Sequence, residues 1–140
     1  MRIESNYLYR VIRASWGIHI SANGSANIFD SEANLARGEF RFHVEGDCLP
    51  GVRKALAFGA ALTMSRILQE VNYANVDIII NNIVHSDVDF QTEGAVALAI
   101  RLLEKMFNLD ESEIDVQFDH DLNRYTFPWD LSKLGSFWLD

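Results

Sequence analysis

The sequence lacks the features that mark secreted and membrane proteins. It has one cysteine, Cys48, which excludes an internal disulfide, and it has no apolar run of the length that spans a bilayer. The N-terminus, MRIESNYLYR, does not have the basic start and apolar run of a secretory signal. We therefore expect a cytoplasmic protein that does not insert into membranes.

Two nucleotide-binding motifs are also missing. The chain has no G-x-x-x-x-G-K-[ST] phosphate loop, and Gly46, Gly51 and Gly59 do not have the spacing of G-x-G-x-x-G. These three glycines are predicted instead to serve a turn, a helix start and close packing, respectively. No cofactor is predicted.

Basic residues are scarce in the second half of the chain. Residues 1–72 contain eight Lys and Arg against seven Asp and Glu, whereas residues 73–140 contain four against thirteen. Such a field repels nucleic-acid phosphates and attracts basic surfaces. The charge therefore argues against nucleic acid as a partner and favours a protein with a basic surface. A merely solvated acidic face is the alternative.

With 140 residues, of which 49% are hydrophobic, the chain is predicted to form a single domain over residues 1–140. The segments SWGIHIS, ANIFD and EFRFHVE predict strands, and Asn23-Gly24 between the first two predicts a type I′ hairpin turn. The segment VDIIINNIVHSDVDF predicts an interior strand, because Ile78 to Ile80 is apolar on both faces.

Two helices are predicted, one from Pro50 to Val71 and one over residues 93–107. The first carries no charge from Ala55 to Ser65, and its core face is predicted to contain Leu56, Ala60, Met64, Ile67, Leu68 and Val71. Phe58 and Leu62 lie on its other side, which is predicted to contact a second helix, a loop or another subunit of a homo-oligomer. The polar face of the second helix contains Arg101, Glu104 and Lys105.

The fold class predicted from this order is α+β: a two-layer α/β sandwich with a mostly antiparallel sheet and two main helices packed on one face. The segments VEGDCLPGVRKAL (residues 44–56), VDIIINNIVHSDVDF (76–90) and TEGAVALAI (92–100) carry a resemblance. In this order they resemble the βαβ domain shared by the fourth domain of elongation factor G, the proteolytic domain of Lon and the ComM/magnesium-chelatase family. The resemblance implies the same two-layer sandwich.

The resemblance does not carry a catalytic activity with it. A Lon-type peptidase needs a serine after the glycine-containing turn and a lysine on the neighbouring helix, whereas Ala95, Val96 and Ala97 follow Gly94 here. With no nucleophile in place, the resemblance implies a fold that is used as a scaffold.

Histidines offer two further hypotheses. His19, His43 and His85 could line a ligand pocket between sheet and helices, which would suit a small-molecule-binding protein or a small enzyme. His85, Asp87 and Asp89 alternate along a strand and, with His120, could supply metal ligands. A solvated strand end is the preferred interpretation of that cluster, so no metal is predicted.

The leading hypothesis is a non-catalytic acidic protein-binding domain: an inhibitor, immunity or adaptor protein that covers a basic surface on its partner. Carboxylates and aromatic anchors are predicted to form the contact surface. Its predicted residues are Asp110, Glu111, Glu113, Asp115, Asp119, Asp121, Trp129 and Trp138. The alternative for the aromatic tail is that it folds back over the protein's own sheet or over Phe58 and Leu62.

Overall fold

The structure is a computed structural model that describes residues 1–30, 38–86 and 90–131. Six strands and two helices are present in this part of the chain. In chain order they are β1 (Arg2–Ile12), β2 (Gly17–Phe29), β3 (Phe40–Val44), α1 (Pro50–Glu70), β4 (Asn75–His85), α2 (Glu93–Met106), β5 (Gln117–Asp119) and β6 (Arg124–Thr126).

The main sheet has the strand order β1-β2-β4-β3, and only the β3–β4 pair is parallel. Both helices cover one face of this sheet, and β5 and β6 form a separate two-stranded sheet. The α+β prediction is therefore confirmed, as is the interior position of β4, which lies between β2 and β3. The parallel β3-α1-β4 connection is the βαβ unit expected from the order of the segments.

Alternation along the strands separates a covered face from an open one. On β2, Ile18, Ile20, Ala22 and Ala26 are buried under the helices, whereas Asn23 and Asn27 on the other face are exposed. This period of two is what the apolar pattern of the sequence predicts. No helix in the described residues is long and apolar enough to cross a membrane.

The predicted hairpin turn at Asn23-Gly24 is wrong. Both residues lie inside β2, where Asn23 pairs with Asn6 and Asn81. A side chain at position 24 would come within 2.6 Å of Met106 Cε and 3.2 Å of Leu102 Cδ2, so the glycine makes room for α2 above the sheet. Local turn chemistry was therefore outweighed by tertiary packing.

Helix α1 begins at Pro50 as predicted, but its buried side differs from the prediction. Thr63 is fully buried and its hydroxyl donates to the carbonyl oxygen of Gly59 (2.8 Å), whereas Met64 is 39% exposed. The buried side is wide because α1 contacts the sheet on one flank and α2 on the next. Of the two residues predicted on the other side, Phe58 is half-buried against the core and Leu62 is 49% exposed.

The glycine predictions agree with the structure. Gly46 has a φ of +89° in the connection after β3, and Gly51 lies in the first turn of α1. A Cβ on Gly59 would lie 2.5 Å from the carbonyl oxygen of Val96 and 2.7 Å from Ala99 Cβ. The missing side chain therefore permits close contact between α1 and α2, as predicted.

Candidate functional site

The acidic segment, defined here as residues 107–121, runs from the end of α2 through β5 into the β5–β6 turn and contacts both helices. Arg66 of α1 donates to the carbonyl oxygen of Asp110 (3.2 Å). The amide of Ser112 donates to Glu104 of α2 (2.8 Å), and Arg101 of α2 pairs with Glu111 (3.1 Å). Side chains from both helices thus hold the segment at residues 110–112.

Glu104 is the centre of these contacts. Only 2% of the residue is exposed, and its carboxylate accepts from Arg66 (2.9 Å), Arg101 (2.7 Å) and the Ser112 amide. Burial acts to raise the pKa of Glu104, but the hydrogen bonds from Ser112, Arg101 and Arg66 outweigh it and hold the pKa below its usual value. The ionised carboxylate therefore joins α1, α2 and the acidic segment.

Five of the six predicted acidic contact residues are exposed on this anchored segment: Asp110, Glu111, Glu113, Asp115 and Asp121. Glu111 pairs with Arg101, and Asp115 accepts from Gln117 (2.8 Å). Between residues 107 and 126 the chain contains six carboxylates and a single strong base, Arg124. The segment therefore presents concentrated negative charge on an ordered backbone.

Asp119 has a structural role that the sequence did not reveal. Its Oδ1 accepts from the backbone amides of Asp121 (2.9 Å) and Leu122 (3.1 Å), which closes the β5–β6 turn. Because this carboxylate accepts hydrogen bonds from two backbone amides, its main role is to stabilise the turn. Experiments on surface charge should therefore leave Asp119 unchanged.

The β5–β6 hairpin, in which the acidic segment ends, is anchored by Tyr125 of β6. Its ring is fully buried, and its hydroxyl accepts from the Arg13 amide (2.8 Å) and donates to the Trp16 carbonyl oxygen (2.7 Å). The side-chain amide of Gln91 exchanges two bonds with the backbone of Tyr125, at 2.6 and 2.9 Å. The hairpin is thus fastened to both the β1–β2 turn and the start of α2.

The two tryptophans predicted as anchors have different outcomes. Trp129 is half-buried, stacks on Phe127 with ring centroids 5.5 Å apart and packs against the core. Its buried indole Nε1 has no hydrogen-bond acceptor in the part of the chain that the structure describes. Trp138 lies outside the described residues. Trp129 thus packs against the protein's own core, which leaves less of its ring for a partner.

The three histidines proposed for a pocket do not come together. His19 and His43 both lie on the open face of the sheet, but His43 pairs with Ile79, which pairs with Ser25. Ser25 is six residues beyond His19 on β2, about 20 Å along the strand. His85 pairs with Ile20 on the covered face and stacks on Phe90 with centroids 4.3 Å apart. One cavity cannot be lined by all three.

The residues considered as metal ligands are only partly among the described residues, because Asp87 and Asp89 lie outside them. His120 is exposed in the β5–β6 turn, and its ring meets Phe118 edge to face at 4.9 Å. Among residues 1–30, 38–86 and 90–131, no group of three or more His, Cys, Asp and Glu side chains is arranged to hold a metal ion.

The cavities among the described residues are shallow. A concavity of about 390 Å³ lies on the open face of the sheet and is lined by the amides of Asn6, Asn23 and Asn81, together with Arg2 and Glu4. A second one, of about 340 Å³, lies between the end of α1 and residues 108–110. Neither is lined by a histidine.

Sequence reasoning missed the residues that hold the acidic segment in place. Glu104 was predicted on a polar, solvated face of α2, but the segment covers it. Arg66 and Gln91 carried no signal, because their partners, Asp110 and Tyr125, are 44 and 34 residues away in the sequence. A glutamate next to a long apolar face was the one available hint.

Comparison with known proteins supports the fold only. No protein-family model and no curated protein matches the chain. Among solved structures, a crystal structure of a protein from Thermus thermophilus is similar, with a TM-score of 0.53 and 13% sequence identity. The match covers 76% of this chain and 16% of that protein, so the shared fold is a small part of a longer chain.

Proposed function

We propose that this chain is a non-catalytic protein-binding domain whose acidic segment covers a basic surface of a partner protein. The observation that carries the proposal is the anchored segment itself: exposed carboxylates stand on a backbone held by Glu104, Arg66 and Tyr125. A preorganised charged surface loses little conformational entropy on binding, and its field speeds association with a surface of opposite charge.

The distribution of ion pairs supports a role in binding. Arg101 forms ion pairs with Glu104 and Glu111, and Arg124 forms one with Glu93 of α2 (2.6 Å). The carboxylates of Asp110, Glu113 and Asp121 form no ion pair with a side-chain cation among the described residues, so a basic partner could supply the opposite charge.

We also propose that the fold is that of the βαβ domain found in elongation factor G, Lon and the ComM family. The β3-α1-β4 unit followed by α2, and the similarity to a part of a longer bacterial protein, support this finer assignment. In this proposal the fold serves as a scaffold, and binding depends on the segment that follows α2.

The test compares two double variants that change the net charge equally. Glu113→Lys/Asp121→Lys alters the acidic segment, whereas Glu45→Lys/Asp47→Lys alters exposed residues next to β3, at the opposite edge of the sheet from β1. Affinity capture from host extract should recover a partner with wild type and with the β3 variant, and the segment variant should lose it. The captured partner is then used for rate measurements.

The association rate should fall as salt rises, with a weaker dependence for the segment variant. Equal rates and equal salt dependence for all three proteins would contradict the proposal.

A further inference from the structure

Strand β1 presents an unusually long free edge. It is the outermost strand of the order β1-β2-β4-β3, and its 11 residues pair with β2 in one unbroken register from Arg2 to Ile12. It contains no proline, glycine or bulge, the devices that usually interrupt edge strands. The other edge strand, β3, has only five residues.

The hydrogen-bonding groups on the outer side of β1 follow from the ladder. Met1 and Ile28 exchange two backbone hydrogen bonds, at 2.7 and 2.8 Å. The backbone N–H and C=O groups of odd-numbered residues of β1 therefore bond to β2, whereas those of even-numbered residues point away from the sheet. Lys105 of α2 agrees with this, since its ammonium donates to the outward carbonyl oxygen of Asn6 (2.9 Å). No strand pairs with this edge in the described part of the chain.

We propose that β1 pairs antiparallel with β1 of a second copy of this chain, about a two-fold axis at Tyr7. Complete overlap of the two strands sets Arg2 opposite Ile12 of the second copy. The same register sets Glu4 opposite Arg10 of the second copy, and the symmetry gives this pair twice. Cross-strand pairs of opposite charge stabilise antiparallel strands.

The charges select this register from its neighbours. A shift by one residue would move each side chain to the wrong face of the sheet. A shift of the pairing by two residues in one direction sets Arg2 opposite Arg10, which is repulsive, and in the other it sets Glu4 opposite Ile12. The register with the most backbone hydrogen bonds is thus also the one with matched charges.

Apolar side chains of β1 gain cover in the same register. Ile3, Tyr7 and Val11 are only half-buried under α2, and the pairing sets Ile3 opposite Val11 and Tyr7 opposite its own copy. On the open face Leu8 is 56% exposed and would lie diagonal to its copy. A backbone N–H of the second strand would replace the Lys105 ammonium as the donor to the Asn6 carbonyl oxygen, and the exposed ammonium would return to water.

The register can be tested by charge exchange in sedimentation velocity experiments on the whole chain. Glu4→Arg and Arg10→Glu should each weaken self-association by about tenfold, because each turns two attractive pairs into repulsive ones. The double variant Glu4→Arg/Arg10→Glu restores both pairs and should dimerise like wild type. A mixture of the two single variants should form a heterodimer, since all of its pairs are again complementary.

A backbone variant tests the edge independently of charge. Leu8→Pro removes an N–H that points away from β2, so the internal ladder is kept, and dimerisation should be lost while circular dichroism remains native. A wild-type chain that stays monomeric up to millimolar concentration would overturn the proposal. A dimer that survives Leu8→Pro and both charge variants would also overturn it and would place the contact elsewhere, such as the Phe58 and Leu62 side of α1.

Discussion

At the scale of single residues, Glu104 has the most consequences for the site. It is a charged residue on a helix that is otherwise almost wholly buried, and it satisfies two arginines and one backbone amide at once. A buried carboxylate is costly unless it is fully paired. Glu104 is present at this buried position because it holds the acidic segment against α1 and α2.

Replacing Glu104 by glutamine should lower the free energy of unfolding by about 1–3 kcal/mol, because Arg66 and Arg101 lose the negative charge that they share. Urea unfolding followed by circular dichroism measures this. The control Glu113→Gln removes an exposed carboxylate and should stay within about 0.5 kcal/mol of wild type. A loss of the same size in both variants would contradict the role given to Glu104.

The same variant should change the acid stability. Because the pKa of Glu104 is held below its usual value in the folded protein, its stabilisation is complete above the usual carboxyl range and is lost as the pH falls through the folded-state pKa. Glu104→Gln has no such group. Its stability should therefore fall less steeply than that of wild type on acidification, as measured by urea unfolding at a series of pH values.

Tyr9 leads to a prediction about stability at alkaline pH. Burial raises its pKa to about 12, against the opposing effect of Arg101 and Arg13. A raised pKa means that the stability is intact below the usual tyrosine pKa and is lost as the pH rises through the folded value. Tyr9→Phe should remove a fall in the free energy of unfolding of about 1.4 kcal/mol per pH unit between those values. Identical alkaline unfolding curves for the two proteins would refute this.

At the scale of elements, periodicity predicted the strands and helices well because it reports which face is buried. The prediction failed where two elements meet. Asn23-Gly24 has the composition of a hairpin turn, yet position 24 is occupied by glycine because Met106 and Leu102 of α2 lie above it. Nothing within a few residues of Gly24 could have indicated a contact 78 residues away in the sequence.

Gly59→Ala tests the predicted helix contact. Alanine favours a helix over glycine by up to about 1 kcal/mol, but its methyl group would meet the backbone oxygen of Val96, which cannot move alone. We expect a net loss of roughly 1–2 kcal/mol in thermal unfolding. Gly51→Ala is the matched control, because its nearest neighbour, Thr92 Cγ2, lies 3.7 Å away and leaves room. That variant should be neutral or slightly more stable.

At the scale of the whole molecule, the sequence indicated the acidic surface but not what holds it in place. The excess of carboxylates could be counted along the chain, and five of the six predicted residues are exposed. Which of them is structural could not be foreseen, because the bonds of Asp119 depend on the turn geometry and those of Glu111 on the position of α2. Charge is a property of composition, whereas anchoring is a property of the fold.

Residues kept for binding are often not optimal for stability. If the acidic segment serves a partner, Glu113 and Asp121 repel the neighbouring carboxylates in the free protein. Glu113→Lys/Asp121→Lys should then raise the free energy of unfolding by about 0.5–1 kcal/mol at low ionic strength, and the gain should vanish in concentrated salt. Thermal unfolding at both salt concentrations measures it.

The variant Glu45→Lys/Asp47→Lys shows whether this gain comes from the segment or from the net charge of the whole protein. Arg53 of α1 donates to the carbonyl oxygen of Gly46 (3.1 Å), between the two reversed residues, so lysines at positions 45 and 47 add repulsion near its guanidinium, although the overall charge changes as much as in the segment variant. This variant should be no more stable than wild type. If it gains as much as the segment variant, long-range net charge accounts for the effect. If the segment variant instead loses stability, its carboxylates support the fold and are not kept for a partner.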